Sequence, residues 1–123
     1  MPVYTTTFEL STPGGSEIID ITERVQDEVT RSPLNHGLVT VFVPGSTGGV
    51  IALEYEPGLV RDLKEAFERL APHEARYRHD RALRDGNGLS RVRASLAKPS
   101  LSIPLREGRL VLGAWQQIAF VDF

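Results

Sequence analysis

Two amphipathic stretches, each closed by a proline, stand among short apolar runs, and that alternation constrains the fold more than any other feature of the chain. In the first stretch Asp20 takes the place of a helix N-cap, with Glu23 three residues on at the capping-box spacing. Ile21, Val25 and Val29 then recur every four residues and give one apolar stripe. Ser32-Pro33 ends it, because proline disfavours helix in the residue before it. The second stretch follows Glu56-Pro57-Gly58, with Leu59, Leu63, Phe67 and Leu70 on the face expected to be buried. Asp62, Lys64, Glu65 and Glu68 fall outside that face or at its edge, and Ala71-Pro72 closes the helix.

The short runs predict strands. Residues 3–10 alternate weakly and are rich in threonine, and Glu17-Ile18-Ile19 is a brief run before the first helix. Leu38-Val39-Thr40-Val41-Phe42-Val43 and Val50-Ile51-Ala52-Leu53-Glu54 flank a glycine-rich turn. Leu101-Ser102-Ile103-Pro104-Leu105, Glu107-Gly108 and Arg109-Leu110-Val111-Leu112 have the pattern of a hairpin. The last run begins at Trp115, with Ile118, Phe120 and Val121 as its inward residues. Residues 73–100 are polar and weakly periodic, with a short helix over 90–97 and a turn at Asp85-Gly86-Asn87-Gly88. The expected fold class is α+β: residues 1–123 form a single domain, a mostly antiparallel sheet or sandwich with two main helices on one face.

Composition removes several classes of function. The chain has no cysteine, hence no disulfide framework, thiolate metal site or cysteine nucleophile. A formal net charge of −2 argues against a dedicated nucleic-acid binder. No apolar run approaches the roughly 20 residues that span a bilayer. Met1-Pro2-Val3-Tyr4-Thr5 lacks the basic-then-apolar order of a signal peptide, so a cytoplasmic location is expected.

Chemistry concentrates in two places. Pro44 stops the third strand, and Gly45-Ser46-Thr47-Gly48-Gly49 follows at once. Glycine lets the backbone turn and approach a ligand closely, successive N–H groups can form a nest for an anion, and Ser46 and Thr47 add hydroxyl donors. The loop is not a P-loop, since no Gly-Lys-Ser/Thr closes it, and the plain alternative is a strand-to-strand turn. Arg76, Arg78, Arg81, Arg84, Arg91 and Arg93 form the second concentration, with His79 among them. Arginine presents a planar fork that fits phosphate or carboxylate, and the alternative is a solvated basic face. His79 is the candidate acid–base group, while His36 and His73 lie in turn-like contexts and are expected on the surface. Glu54 ends its strand and is a candidate to orient a substrate or His79. Asn87 and Gln116 are amides placed to face a ligand, with turn formation and strand packing as their plain alternatives.

Leu112-Gly113-Ala114-Trp115-Gln116-Gln117-Ile118 resembles the Leu-Gly-Thr-Trp-Gln-x-Ile signature of the YjbQ-type family of secondary thiamine-phosphate synthases. Pro99-Ser100-Leu101-Ser102-Ile103-Pro104 is similar to the segment before that signature. Glu54, Asp62, Tyr77-Arg78-His79-Asp80 and Asp85-Gly86-Asn87-Gly88 follow in the family's order. The resemblance implies a compact α+β fold and a homotrimer with clefts at or near the subunit interfaces. It also implies a weak ability to join the two phosphorylated precursors of thiamine phosphate. Two positions depart from the family pattern. Its His-Thr-Thr is Gly45-Ser46-Thr47 here, and a later family histidine corresponds to Arg91, with Leu89 two residues before it. Of the histidine trio only His79 survives, and neither glycine nor arginine replaces an imidazole ligand, so a metal centre of the family's kind is not expected and a divalent metal bound otherwise is the alternative.

The expected function is therefore that of a small-molecule enzyme, a weak transferase resembling the thiamine-phosphate synthases. Gly45, Ser46, Thr47, Gly48, Asn87, Arg91 and Gln116 would bind a phosphorylated metabolite, and His79 and Glu54 would do proton chemistry. The alternative is a non-enzymatic ligand-binding or regulatory member of the family with a degenerate site.

Overall fold

The elements run β1 (Glu17–Asp20), α1 (Thr22–Arg31), β2 (Gly37–Phe42), β3 (Gly48–Glu54), α2 (Pro57–Leu70), α3 (Arg78–Leu83), α4 (Gly88–Ala97), β4 (Ser100–Arg106), β5 (Arg109–Leu110) and β6 (Gln116–Asp122). The structure, a computed structural model, describes residues 2–83 and 86–123. The strands form two three-stranded sheets, ordered β1-β6-β3 and β2-β4-β5, and every pairing is antiparallel.

β6 occupies the centre of its sheet and sets the layers. Ile118, Ala119 and Val121 have no exposed surface. Successive strand residues point to opposite faces, and the two faces of β6 enter two cores. Ile118 joins Ile21 and Val25 of the α1 region, Val50 of β3 and Ile103 of β4, with Phe120 packed against them. Ala119 and Val121 join Ile18 of β1, against Val60 and Leu63 of α2. The first sheet is thus covered by the second sheet and α1 on one face and by α2 on the other. Full burial of an aliphatic side chain of this size contributes about 1.5–3 kcal/mol, so β6 anchors both cores.

The α+β class, the antiparallel pairing, the β4–β5 hairpin and the last strand are as the sequence predicts, and several local expectations are corrected. Helices lie on both faces of the first sheet, because β6 is apolar on both its sides. Residues 3–10 form no strand: they gain no ladder partner, and are held instead by Phe8 and Leu10 against the first core, with the Arg24 guanidinium 4.7 Å from the Phe8 ring centroid. α1 starts one residue later than the capping-box spacing implies, with Ile21 at the cap position. Asp20 ends β1, and its carboxylate accepts from the Thr22 backbone N–H at 2.9 Å and hydroxyl at 2.7 Å. In α2 the buried stripe runs through Val60, Leu63 and Phe67 to Ala71, leaving Leu59 and Leu70 exposed. The Glu56 carboxylate caps that helix by accepting from the N–H groups of Gly58 and Leu59 at 2.8 Å each. Those N–H groups hold the Glu56 carboxyl below its ordinary range. The polar segment expected to be mostly loop carries α3 and a longer α4. Arg84 and Asp85 of the sequence analysis lie outside the described residues.

Candidate functional site

The site grows from the contact between α4 and the start of β3. A Cβ on Gly49 would stand 2.8 Å from the Cβ of Ala97 and 2.9 Å from the carbonyl oxygen of Lys98, so only glycine lets helix and strand meet so closely. The Val50 N–H donates to that same Lys98 carbonyl at 3.1 Å. Gly48 and Gly49 accordingly belong to β3, opposite Asp122 and Val121, and the loop proper is shorter than its glycine content implies, covering residues 43–47. At Gly45 the backbone takes φ 148°, which L side chains rarely adopt, so a histidine at this position would be strained.

With α4 so placed, its first turns face the loop. Arg91 donates from Nη1 to the Ser46 hydroxyl and from Nε to the Asn87 side-chain oxygen at 3.0 Å. No described carboxylate pairs with Arg91. Asn87 holds the cap position of α4 with φ −111° and ψ 18°, near the bridge region and not the left-handed one. The carboxyl-terminal residue closes the arrangement. Phe123 donates its N–H to the Thr47 carbonyl at 3.0 Å and accepts from the Ser90 hydroxyl at 2.7 Å. Its ring meets Phe67 edge-on, with centroids 4.9 Å apart. His79 enters from α3. Its Nδ1 lies 3.7 Å from the Asp80 carboxylate, which also accepts the Gly88 N–H at the start of α4 at 2.7 Å.

Ser46, Thr47, Asn87 and Arg91 are therefore brought together, with Gly45 beside them and His79 at the α3–α4 junction. Glu54 and Gln116 are not among them. They face each other across the far end of the β3–β6 ladder, whose other end is the Gly48–Asp122 pair. Six residue steps at ~3.3 Å each put the two ends about 20 Å apart. Gln116 accepts the Gly113 N–H at 3.0 Å, closing the turn into β6, and lines a small cleft of about 200 Å³ with Ala52, Leu101 and Leu112. Within one chain Glu54 is exposed and stands with Gln116 rather than with the loop.

Arg93 is the residue of the arginine cluster whose role the sequence misassigns. It is 3 % exposed, and its guanidinium donates to the Ala71 carbonyl, the Ser16 hydroxyl and the Glu68 carboxylate. It anchors α4 to the end of α2 and the start of β1. His73 shares Glu68, with Nδ1 at 2.6 Å from the carboxylate. The His73 ring and backbone N–H, and then Arg93, hold the Glu68 carboxyl below its ordinary range. Ser90, whose hydroxyl holds the chain end, carries no signal in the sequence that marks it. His36 and His73 are on the surface as expected. No group of three or more histidine, cysteine, aspartate or glutamate side chains among the described residues could hold a metal ion. No described helix is long and apolar enough to cross a membrane.

A family model described as UPF0047 protein YjbQ-like matches residues 6–123. A UPF0047 protein of Archaeoglobus fulgidus is 39% identical over 114 residues, covering 93% of this chain and 86% of that protein. One from Methanothermobacter thermautotrophicus is 34% identical over 122 residues, covering 99% and 84%. The crystal structure of a YbjQ-like protein from Sulfolobus solfataricus superposes with a TM-score of 0.86 at 32% identity, covering 92% of this chain and 80% of that one. A YjbQ/UPF0047-family structure from Clostridium acetobutylicum does so with a TM-score of 0.85 at 33% identity, covering 93% and 86%. The chain, matched in sequence and in fold over nearly all its length, belongs to the YjbQ-like UPF0047 family.

Proposed function

We propose that the protein binds a phosphorylated small molecule between the 43–47 loop and the first turns of α4, and acts on it as a weak transferase of the thiamine-phosphate synthase kind. The observation that carries this reading is the Arg91–Ser46 contact, made by a guanidinium that Asn87 orients and no described carboxylate neutralises. A fork held in place with a hydroxyl beside it suits a phosphate better than a single mobile cation would. In the synthase reaction pyrophosphate leaves a pyrimidinyl-methyl carbon, and negative charge grows on the leaving oxygens. Arg91 and the loop N–H groups would stabilise that charge without reorganising. His79, 3.7 Å from the Asp80 carboxylate, would carry the proton transfer in this reading.

Glu54 takes part in this reading only across a subunit boundary. We propose a homotrimer in which the Glu54–Gln116 end of one chain approaches the Arg91 end of another. Trp115 at 77% exposure, with Leu38 and Phe42 also bare on the outer face of β2, is the apolar surface such an assembly would cover. Light scattering on the purified protein should return three times the monomer mass.

The second reading, a binding protein without turnover, is favoured by the same separation: one chain by itself brings the proposed anion-binding groups together but leaves Glu54 at the far end of β3. The test is thiamine-phosphate formation from its two phosphorylated precursors by the wild type, Arg91→Ala and His79→Ala. Activity lost in both variants with binding kept in His79→Ala supports the enzyme. Binding that depends on Arg91, with no turnover in any protein, supports the binding module. Binding indifferent to Arg91 refutes both.

A further inference from the structure

Arg76, Arg78 and Arg81 line one open groove of about 730 Å³, together with Ala75, Tyr77 and Asp80. All three arginines are exposed, and none of their guanidinium groups makes an ion pair or hydrogen bond with a described residue. Asp80 is the one acid among the described lining residues, and its carboxylate is already engaged by the Gly88 N–H. The wall between the arginines is fixed, because the Tyr77 hydroxyl donates to the Pro72 carbonyl at 2.6 Å. Like charges gathered on one concavity repel one another unless an anion lies among them. The chain as a whole is negative, so this density of positive charge is local. The volume falls in the range of about 300–1,000 Å³ typical of small-molecule sites. One aromatic wall gives a run of nucleic-acid bases little to stack on.

We infer that this groove binds a small molecule through an oligophosphate chain. Three guanidinium forks along one open groove carry more positive charge than one orthophosphate neutralises, and successive phosphates along a chain offer each fork its own oxygens. The groove adjoins the loop–α4 site at Asp80, but neither Arg91 nor Ser46 is among its described lining residues.

The experiment is calorimetric titration of the full chain with inorganic tripolyphosphate and with orthophosphate. The proteins are the wild type, an Arg76→Gln/Arg81→Gln double variant and Arg91→Ala. Both replaced groove arginines are exposed, and circular dichroism checks that the variants fold. Tripolyphosphate should bind the wild type at least tenfold more tightly than orthophosphate does. The double variant should lose about tenfold in tripolyphosphate affinity per arginine removed, the worth of one charge-assisted hydrogen bond each. Arg91→Ala should keep tripolyphosphate binding, which separates this site from the one proposed above. Equal tripolyphosphate affinity in the wild type and the double variant overturns the inference. So does a loss confined to Arg91→Ala, or a single-stranded RNA dodecamer that binds the wild type more tightly than tripolyphosphate.

Discussion

Replacing Arg93 with methionine tests whether α4 is held in place by one buried guanidinium. The substitution keeps the aliphatic stem and removes the hydrogen bonds to Ala71 at 3.1 and 2.9 Å, to Ser16 at 2.9 Å and to Glu68 at 2.6 Å. Ala71 is 1% and Ser16 6% exposed, so neither the carbonyl nor the hydroxyl regains water easily. Each buried polar group left without a partner costs about 1–3 kcal/mol. Part of that is returned because methionine, unlike guanidinium, is not penalised by burial. A net loss of about 2–3 kcal/mol is expected, which at about 4 °C per kcal/mol for a chain of this length lowers Tm by about 8–12 °C. Thermal and urea unfolding followed by circular dichroism measure it. Arg93→Lys should recover little, since one ammonium cannot reproduce a planar fork that reaches three partners. A stability of Arg93→Met within about 0.5 kcal/mol of the wild type would refute the reasoning, since that is the range of ordinary surface substitutions.

Gly49→Ala should cost about 1–3 kcal/mol by forcing α4 away from β3, as read by urea titration, and calorimetry should find the proposed phosphate binding weakened as well, because the displaced helix carries Arg91. Phe67→Ala should cost about 3–5 kcal/mol by opening the core beneath Phe123; a Tm close to that of the wild type would contradict the packing described. The depressed Glu68 carboxyl makes a pH prediction. A carboxyl whose folded pKa lies below its unfolded one adds stability that is present above the unfolded pKa and is lost as pH falls through the folded one. The urea midpoint of the wild type should therefore drop below the ordinary carboxylate range more steeply than that of Glu68→Gln, with parallel acid profiles as the contrary result.

Periodicity and punctuation were enough to place α1, α2, the β4–β5 hairpin and the last strand, because apolar spacing and proline act within a few residues. The order of motifs along the chain was enough to indicate the family. What the sequence could not assign was the partner of each group. Arg91 and Arg93 look alike in a basic run, yet residues two apart on a helix point about 200° from each other. One guanidinium therefore meets the Ser46 loop while the other enters the core beside Ala71. Residues 3–10 have strand composition, but a strand exists only where a neighbour completes its ladder. Glu54 is close in sequence to the glycine-rich loop, and an extended strand carries it to the opposite end of the sheet. Local sequence decides what a segment can become. Only the packing of distant segments decides which side chains meet, because contacts between elements depend on direction and register that no short stretch of residues encodes.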